Sequence, residues 1–233
     1  MQKGLNFLLE KYSAGQEAVL SADGKSVVVD GQTVPLLPWE SERRISELRN
    51  IFLSGRIGNI CTCRIGHTTQ AGGDLSELLA REIGILEYVT DSAVREIFAV
   101  SGSRTMNCIA ETTSGCVCTI ELGATLRPGE SDIDKHEIIA DRGVACDRAA
   151  DTQIPQQSVY VFGRSEGAWL DTDAELYGYT DGQCGCIRNA FAAVRDARVR
   201  TYNRQKSAHI RKVVESAEKS RKLSESVPVD NLS

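Results

Sequence analysis

The stretch "GGDLSELLAREIGILEYVTDSAVREIFAV" at residues 72–100, followed by "MNCIAETTSGCVCTIELGATL" at 106–126, decides the fold. Two glycines open a run in which Leu75, Leu78, Leu79, Ile83, Leu86 and Val89 recur at helical spacing, so the first part reads as an amphipathic helix. The period then changes. REIFAVSG, MNCIAETT and GCVCTIELGATL are three strands separated by Gly and Ser turns. A helix feeding consecutive strands implies an α+β protein: a large, mostly antiparallel open sheet with helices on one face.

Upstream, GNICTCRIGH reads as a further strand, and WESERRISELRNIFLSG as a helix with Ile45, Leu48, Ile51 and Phe52 on one face and Gly55 at its end. SVVVDGQTVPLL alternates around Asp30-Gly31, a hairpin turn signal, and residues 5–13 form a short helix. Downstream, HEIIADRGVACDR and SVYVFGR are strands. After Gly182 the pattern is helical through AFAAVRDARVR, breaks near Tyr202-Asn203, and resumes in SAHIRKVVESAEKSRKL. The expected organisation is an appendage over 1–45, a sheet domain over 46–225 and a loose tail over 226–233.

The totals narrow the function. The 233 residues are 41% hydrophobic and 25% charged, with a net charge of -5 and a pI near 5.4. Such a chain has no overall electrostatic attraction for nucleic acid or an anionic membrane. No apolar run approaches the roughly 20 residues of a membrane helix. The start, MQKGLNFLLEKYS, does not read as an export signal, so the expected location is the cytoplasm and the eight cysteines are expected as thiols.

Three Cys-x-Cys pairs raise the question of metal or redox chemistry: Cys61/Cys63, Cys116/Cys118 and Cys184/Cys186. On a strand, residues two apart share a face. Cys61 and Cys63 then side with Ile65, and Cys116 and Cys118 with Ile120 and Leu122, which reads as burial of small apolar groups. A zinc site favours Cys-x2-Cys in a loop, so no metal is expected. Cys184-Gly185-Cys186 differs. It lies in a glycine-flanked turn before a helix and near Arg188, where a thiol can be activated, so Cys184 and Cys186 are the reactive-thiol candidates.

Other chemistry is mostly excluded. There is no P-loop, no Gly-x-Gly-x-x-Gly after a strand, no Gly-x-Ser-x-Gly and no His-Glu-x-x-His. Among the three histidines, His209 lies on a charged helix and reads as solvated. His136 opens a strand and reads as structural. His67 ends a strand ahead of the Gly72-Gly73 turn, at the rim of a candidate cleft. Asp74, Glu77 and Arg81 on the following helix complete the substrate-binding candidates: arginine offers a fork of donors and the carboxylates accept.

The order of "LRNIFLSGRIGNICTCRI", "GGDLSELLAREIGILEYVTDSAVREIFAV" and "MNCIAETTSGCVCTIEL" resembles the C-terminal domain of the Gfo/Idh/MocA (glucose–fructose oxidoreductase/inositol dehydrogenase) family, over roughly residues 46–229. The resemblance implies a large open sheet that pairs with a second copy through its face. Family enzymes also have a Rossmann domain with a catalytic Glu-Lys-Pro lysine, and a helix carrying Asp, then His four residues later, then Asp three further on. Neither the nucleotide domain nor that lysine is found here. The helix positions fall on Glu77, Arg81 and Gly84, so arginine stands in place of the acid–base histidine. Arginine stays protonated and cannot exchange protons near neutral pH.

The expectation is therefore a stand-alone domain without autonomous dehydrogenase activity. It would act in oligomerisation, as a homodimer or higher homo-oligomer, with retained binding of a sugar-like polar ligand. No cofactor is expected on the isolated chain. The alternative is the substrate-binding subunit of a split NAD(P)-dependent sugar or polyol dehydrogenase, whose Rossmann domain is on a partner chain. A third reading, a thiol or metal protein, follows only if the Cys-x-Cys pairs are chemically active.

Overall fold

The structure is a computed structural model that describes residues 1–148, 159–163, 167–169 and 173–229. Two compact units emerge: Met1–Ser46 with Asp171–Ala208, and Glu47–Leu170 with His209–Ser233. The first unit thus recruits chain from beyond the sheet, where the sequence suggested an appendage of residues 1–45 alone.

In the first unit, helix α1 (Gln2–Lys11) precedes three short strands, β1 (Ala18–Leu20), β2 (Ser26–Val29) and β3 (Gln32–Pro35), which form a small antiparallel sheet. The β2–β3 turn is Asp30-Gly31, both with positive φ (51° and 73°), the backbone twist that a two-residue hairpin needs. Helix α4 (Asp181–Arg195) packs Ile187, Ala190 and Ala193 with Leu5, Leu8, Val27 and Val34 in one buried cluster. A capping box starts α4: Thr180 accepts from the Gln183 backbone, and the Gln183 side chain accepts from the Thr180 N–H. Helix α5 (Ala197–Leu223) follows without the expected break at Tyr202-Asn203. Asn203 is buried in the continuous helix, and its amide donates to Pro35 O and Asn189 Oδ1. The interruption lies at Asp196 instead, where α4 ends and the Asp196 carboxylate accepts from the Arg198 N–H.

Helix α2 (Arg43–Leu53) leads the chain into the second unit, which carries the large sheet. Its strands are β4 (Ile60–Gln70), β5 (Val94–Ser101), β6 (Thr105–Thr112), β7 (Val117–Leu126), β8 (Ile133–Ala140), β9 (Gly143–Cys146), β10 (Val159–Gly163), β11 (Gly167–Trp169) and β12 (Val227–Pro228). They lie in the order β11-β10-β9-β8-β4-β7-β6-β5-β12. β4 runs parallel to β7, and every other described pairing is antiparallel, so the sheet is mixed where a mostly antiparallel one was expected. The chain leaves β4 through helix α3 (Leu75–Thr90) before the β5–β6–β7 meander brings it back beside β4. The end of the chain is not a loose tail up to residue 229. β12 pairs with β5, and Val227 and Val229 are buried, while residues 230–233 lie outside the described residues.

Register assigns the two faces. Cys63, Ile65 and His67 stand beside Cys118, Ile120 and Leu122, and next to Ala110, Cys108 and Met106 across β6. On the other side of β4, the partners are Ile138, His136 and Asp134. All of these except Asp134 are buried, and α3 packs on β4, β6 and β7. The opposite face is different: Val100, Ile109, Val117 and Ile133 are exposed there, among Arg64, Asn107, Thr119 and Glu121.

Cys61 departs from the expected burial. The β4–β8 register shifts between Ile60 and Thr62, and β4 meets β7 only from Thr62 onward. Cys61 is the extra residue of that irregularity and is exposed, whereas Cys63 is buried.

Candidate functional site

Helix α3 positions the candidate site. Asp74 caps its N-terminus by accepting from the Ser76 N–H at 2.8 Å, and Glu77 lies exposed in its first turn. Its last turns are buried almost all round. One of those buried positions, Glu82, carries a charge and has no solvent exposure. A lone carboxylate there would cost many kcal/mol in lost solvation, so it must be compensated.

Three cations or donors converge on Glu82 from three elements. The neighbouring Arg81 donates to Oε1 at 2.6 Å. His67 Nδ1, on β4, lies 2.6 Å from the same oxygen. His136 Nε2, on β8, lies 2.8 Å from Oε2. Behind His136, Asp147 holds the other ring nitrogen, Nδ1, at 2.5 Å and accepts from the His136 backbone N–H at 2.7 Å. In front, Arg81 reaches Asp134 at 3.1 Å, and His67 Nε2 lies 3.4 Å from Asp132, whose other oxygen accepts from Thr69 at 2.7 Å. The result is a continuous chain, Asp132–His67–Glu82–His136–Asp147, closed at its inner end and half-exposed at Asp132.

The ionisation states follow from these contacts. Burial alone would raise Glu82, but Arg81 and then His136 and His67 hold it well below the usual carboxylate range. Burial works against the His136 cation, yet Asp147 and Glu82 outweigh it and push the ring up to about 10. Geometry agrees: a ring with a carboxylate at each nitrogen donates from both and is an imidazolium.

The sequence candidates are therefore sorted by the fold. His67 and Arg81 meet on Glu82, with Asp132 and Asp134 beside them, whereas Asp74 is engaged in capping its own helix. His67 lies within β4, three residues before its end. His136 is central to the network and lies within β8. His209, expected to be solvated, is largely buried, with Nε2 2.8 Å from Glu87 of α3. Glu82, Asp132 and Asp147 were missed. Glu82 had a signal, since it interrupts the inward stripe of Leu79, Ile83 and Leu86 with a charge.

The thiol candidates lie elsewhere than the sequence suggested. Cys184 and Cys186 lie inside the first turns of α4, not in a turn before it, and Cys184 is buried. Burial pushes both thiols up, Cys186 to about 11, so Arg188 does not activate them; its guanidinium is held by Asp173 and Glu175. The strand thiols pack as apolar groups: Cys63 Sγ lies 3.8 Å from Cys116 Sγ, and that contact and burial keep Cys63 well above the ordinary range. No group of three or more metal-ligating side chains is found among the described residues. No helix is long and apolar enough to cross a membrane among the described residues.

Comparison with solved structures establishes the fold. Levoglucosan dehydrogenase, solved in complex with NADH, superposes with a TM-score of 0.66 at 12% identity, covering 84% of this chain and 65% of that one. An oxidoreductase from Agrobacterium radiobacter, in complex with NAD+, L-tartaric acid and magnesium, gives 0.64 at 12% identity, over 82% and 63%. An oxidoreductase domain protein from Kribbella flavida gives 0.62 at 11%, over 84% and 65%. The chain is thus similar in fold to these oxidoreductases and spans less than two thirds of their length. No family model matches the chain, and no curated protein matches it.

Two outcomes check this description. The raised His136 ring stabilises the fold fully below its ordinary value of about 6.5, and that contribution is lost as pH rises through about 10. Urea midpoints of the parent should fall between those limits. His136→Gln should start roughly 3–5 kcal/mol less stable, because it leaves buried carboxylates uncompensated, and should lack that alkaline decline. Separately, thiol labelling of the native protein should modify Cys61 first and leave Cys63, Cys108 and Cys118 to react only on unfolding.

Proposed function

We propose that this chain is an oxidoreductase-type sheet domain that binds a polar, sugar-like ligand and assembles as a homo-oligomer, without dehydrogenase activity of its own. The observation that carries the reading is the convergence of Arg81, His67, Asp132 and Asp134 at one end of β4 and β8, a group of donors and acceptors on a rigid, buried base. At the α3 position where the resembled family has its acid–base histidine stands Arg81, a permanent cation that orients and binds but does not exchange protons. Ligand contact falls to Arg81, Asp132 and Asp134. Cofactor chemistry is not assigned to this chain.

The oligomer uses the second face of the sheet. Val100, Ile109, Val117 and Ile133 are exposed on it, and apolar groups gathered on one face mark an interaction surface. Charges of both signs lie among them, Arg64 and Lys135 with Glu121 and Glu137. A twofold axis would bring the same patch of both copies together. An obligate pair of this kind buries about 2,000 Å² or more.

A second reading is supported by the neighbours' nicotinamide complexes: this chain supplies the substrate wall of a split NAD(P)-dependent enzyme, with a nucleotide domain on another chain. Co-purification of a nucleotide-binding chain from native extract would favour it.

Calorimetric titration with neutral polyols and sugar acids tests the main reading. A ligand that the parent binds should lose roughly tenfold in affinity, about 1.4 kcal/mol, in Arg81→Lys, which folds with the charge kept but the fork removed. Equal affinity in the two proteins would remove Arg81 from the site, and micromolar binding of NAD to the isolated chain would end the claim that it lacks a nucleotide site. Sedimentation at micromolar concentration should show a species of at least twice 25.4 kDa. A monomer would refute the oligomeric role, and Ile109→Lys should yield one if the face is the interface.

A further inference from the structure

Two of the Cys-x-Cys sulfurs have a relationship that the polar site does not use. Cys63 on β4 and Cys116, just ahead of β7, belong to different pairs in the sequence, yet their Sγ atoms lie 3.8 Å apart, in reach of an S–H···S hydrogen bond. Both are free thiols.

The two are unequal. Cys116 Sγ lies 3.9 Å from Val117 O, which takes its own hydrogen and leaves its lone pairs to accept from Cys63. Accepting that bond draws Cys116 below the ordinary thiol value, against the opposing effect of burial. Donating it, with burial added, keeps Cys63 protonated. Position separates them as well. Cys63 is inside the ladder, facing Cys118. Cys116 precedes the first β4–β7 pair, Thr62 with Val117, and Thr112 holds its N–H and C=O in the turn instead. Thr113, Ser114 and Gly115 of that turn are exposed, and the space beside Gly115 is open. Across from Cys116, β4 has its irregularity at Cys61. Cys116 is thus free of the ladder, and its sulfur has room to close from 3.8 Å to the roughly 2.05 Å of a disulfide.

The geometry points to a modification site: Cys63 and Cys116 form a dithiol that a small hydroperoxide oxidises to an intramolecular disulfide, with Cys116 attacking and Cys63 resolving. The Cys116 thiolate attacks one peroxide oxygen, the O–O bond breaks, and the other oxygen leaves as an alcohol or water after taking a proton. Cys116 is then a sulfenic acid. Cys63 attacks its sulfur, the S–S bond forms, the S–O bond breaks, and the hydroxyl leaves as water with the Cys63 proton. Two thiols are oxidised and one peroxide is reduced. The other thiols are placed differently. Burial pushes Cys108 up to about 12 and holds Cys118 far above the ordinary range. Cys61 is exposed, but its sulfur contacts Asn59 O and not another thiol. The bond would join β4 to the turn that starts β7, across the parallel pairing that α3 and the β5–β6 hairpin otherwise connect.

Limited hydrogen peroxide on the reduced native protein, followed by alkylation in denaturant and peptide mass mapping, tests the site. Cys61→Ser, which alters only an exposed side chain, serves as the background. Its intact mass should fall by two hydrogens, one linked peptide pair should join Cys63 to Cys116, and dithiothreitol should reverse both. The urea midpoint should rise on oxidation. Cys63→Ala should stop at a Cys116 sulfenic acid that dimedone traps, and Cys116→Ala should leave Cys63 a thiol. If either variant fails to fold, the map of the Cys61→Ser protein decides alone. Recovery of Cys63 and Cys116 as thiols, or a link from either to another cysteine or another chain, would overturn the site. Dimedone on Cys63 in Cys116→Ala would overturn the assignment of roles.

Discussion

A fully buried carboxylate, Glu82, sets the terms for the rest of the large sheet. It lies on a helix that is otherwise apolar on that side, and its charge can persist only if positive groups arrive from elsewhere. Arg81 comes from the same helix, His67 from β4 and His136 from β8. Three separate segments must therefore reach one point with atomic registration. A slip of one residue along β8 would turn His136 to the opposite face and leave Glu82 and Asp147 without their shared cation. Apolar packing would tolerate that slip far better, since Ile138 and Ile139 could exchange roles. The network thus specifies the β4–β8 register, which the hydrophobic pattern leaves weakly determined. Its net contribution to stability is a separate matter, because the attraction between the charges is set against their lost solvation.

Where local chemistry decides an element, the sequence was sufficient. Helix α3, the Asp30-Gly31 hairpin and the meander through β5, β6 and β7 follow from period and turn residues. Where a distant partner decides, it was not. Tyr202-Asn203 suggested a break because asparagine favours turns, yet Asn203 is held in a continuous helix by Pro35 and Asn189. His209 looked solvated among charged neighbours, but Glu87 draws it against α3. Cys61 shares parity with Cys63 and would be buried in an unbroken strand; the register shift after Ile60 cancels that inference. The site was half legible. His67 and Arg81 stood beside glycine turns, and Glu82 was visible as a charge in an apolar stripe. Asp132 and Asp147 belong to no local pattern, and only the pairing of β4 with β8 brings them to the histidines.

Fold and chemistry separate at α3. The likeness to solved oxidoreductases is a likeness of sheet and helices at 11–12% identity, which leaves the reacting groups free to differ. Arg81 is one of the groups gathered there. It donates to Glu82 and Asp134 at once and so joins the helix to β8 as a fixed cation. The imidazole bonded to the same carboxylate oxygen is His67, on the strand. Glu82 anchors both side chains, the guanidinium from its own helix and the imidazole from the strand.

The same sheet face also explains why Cys118 stays silent. Along β4 and β7 the rows run Cys63 beside Cys118, then Ile65 beside Ile120, then His67 beside Leu122. One aliphatic row therefore lies between the sulfur-bearing end and the charged end. Glu82 still acts across it: burial and then Cys116 are the main causes that keep Cys118 far above an ordinary thiol, and the Glu82 charge adds to them. A thiolate at Cys118 would have to form in an apolar layer with a carboxylate nearby, so the buried network also disfavours nucleophilic sulfur at that position. Cys61 is the exposed thiol, because the strand irregularity places it outside that layer.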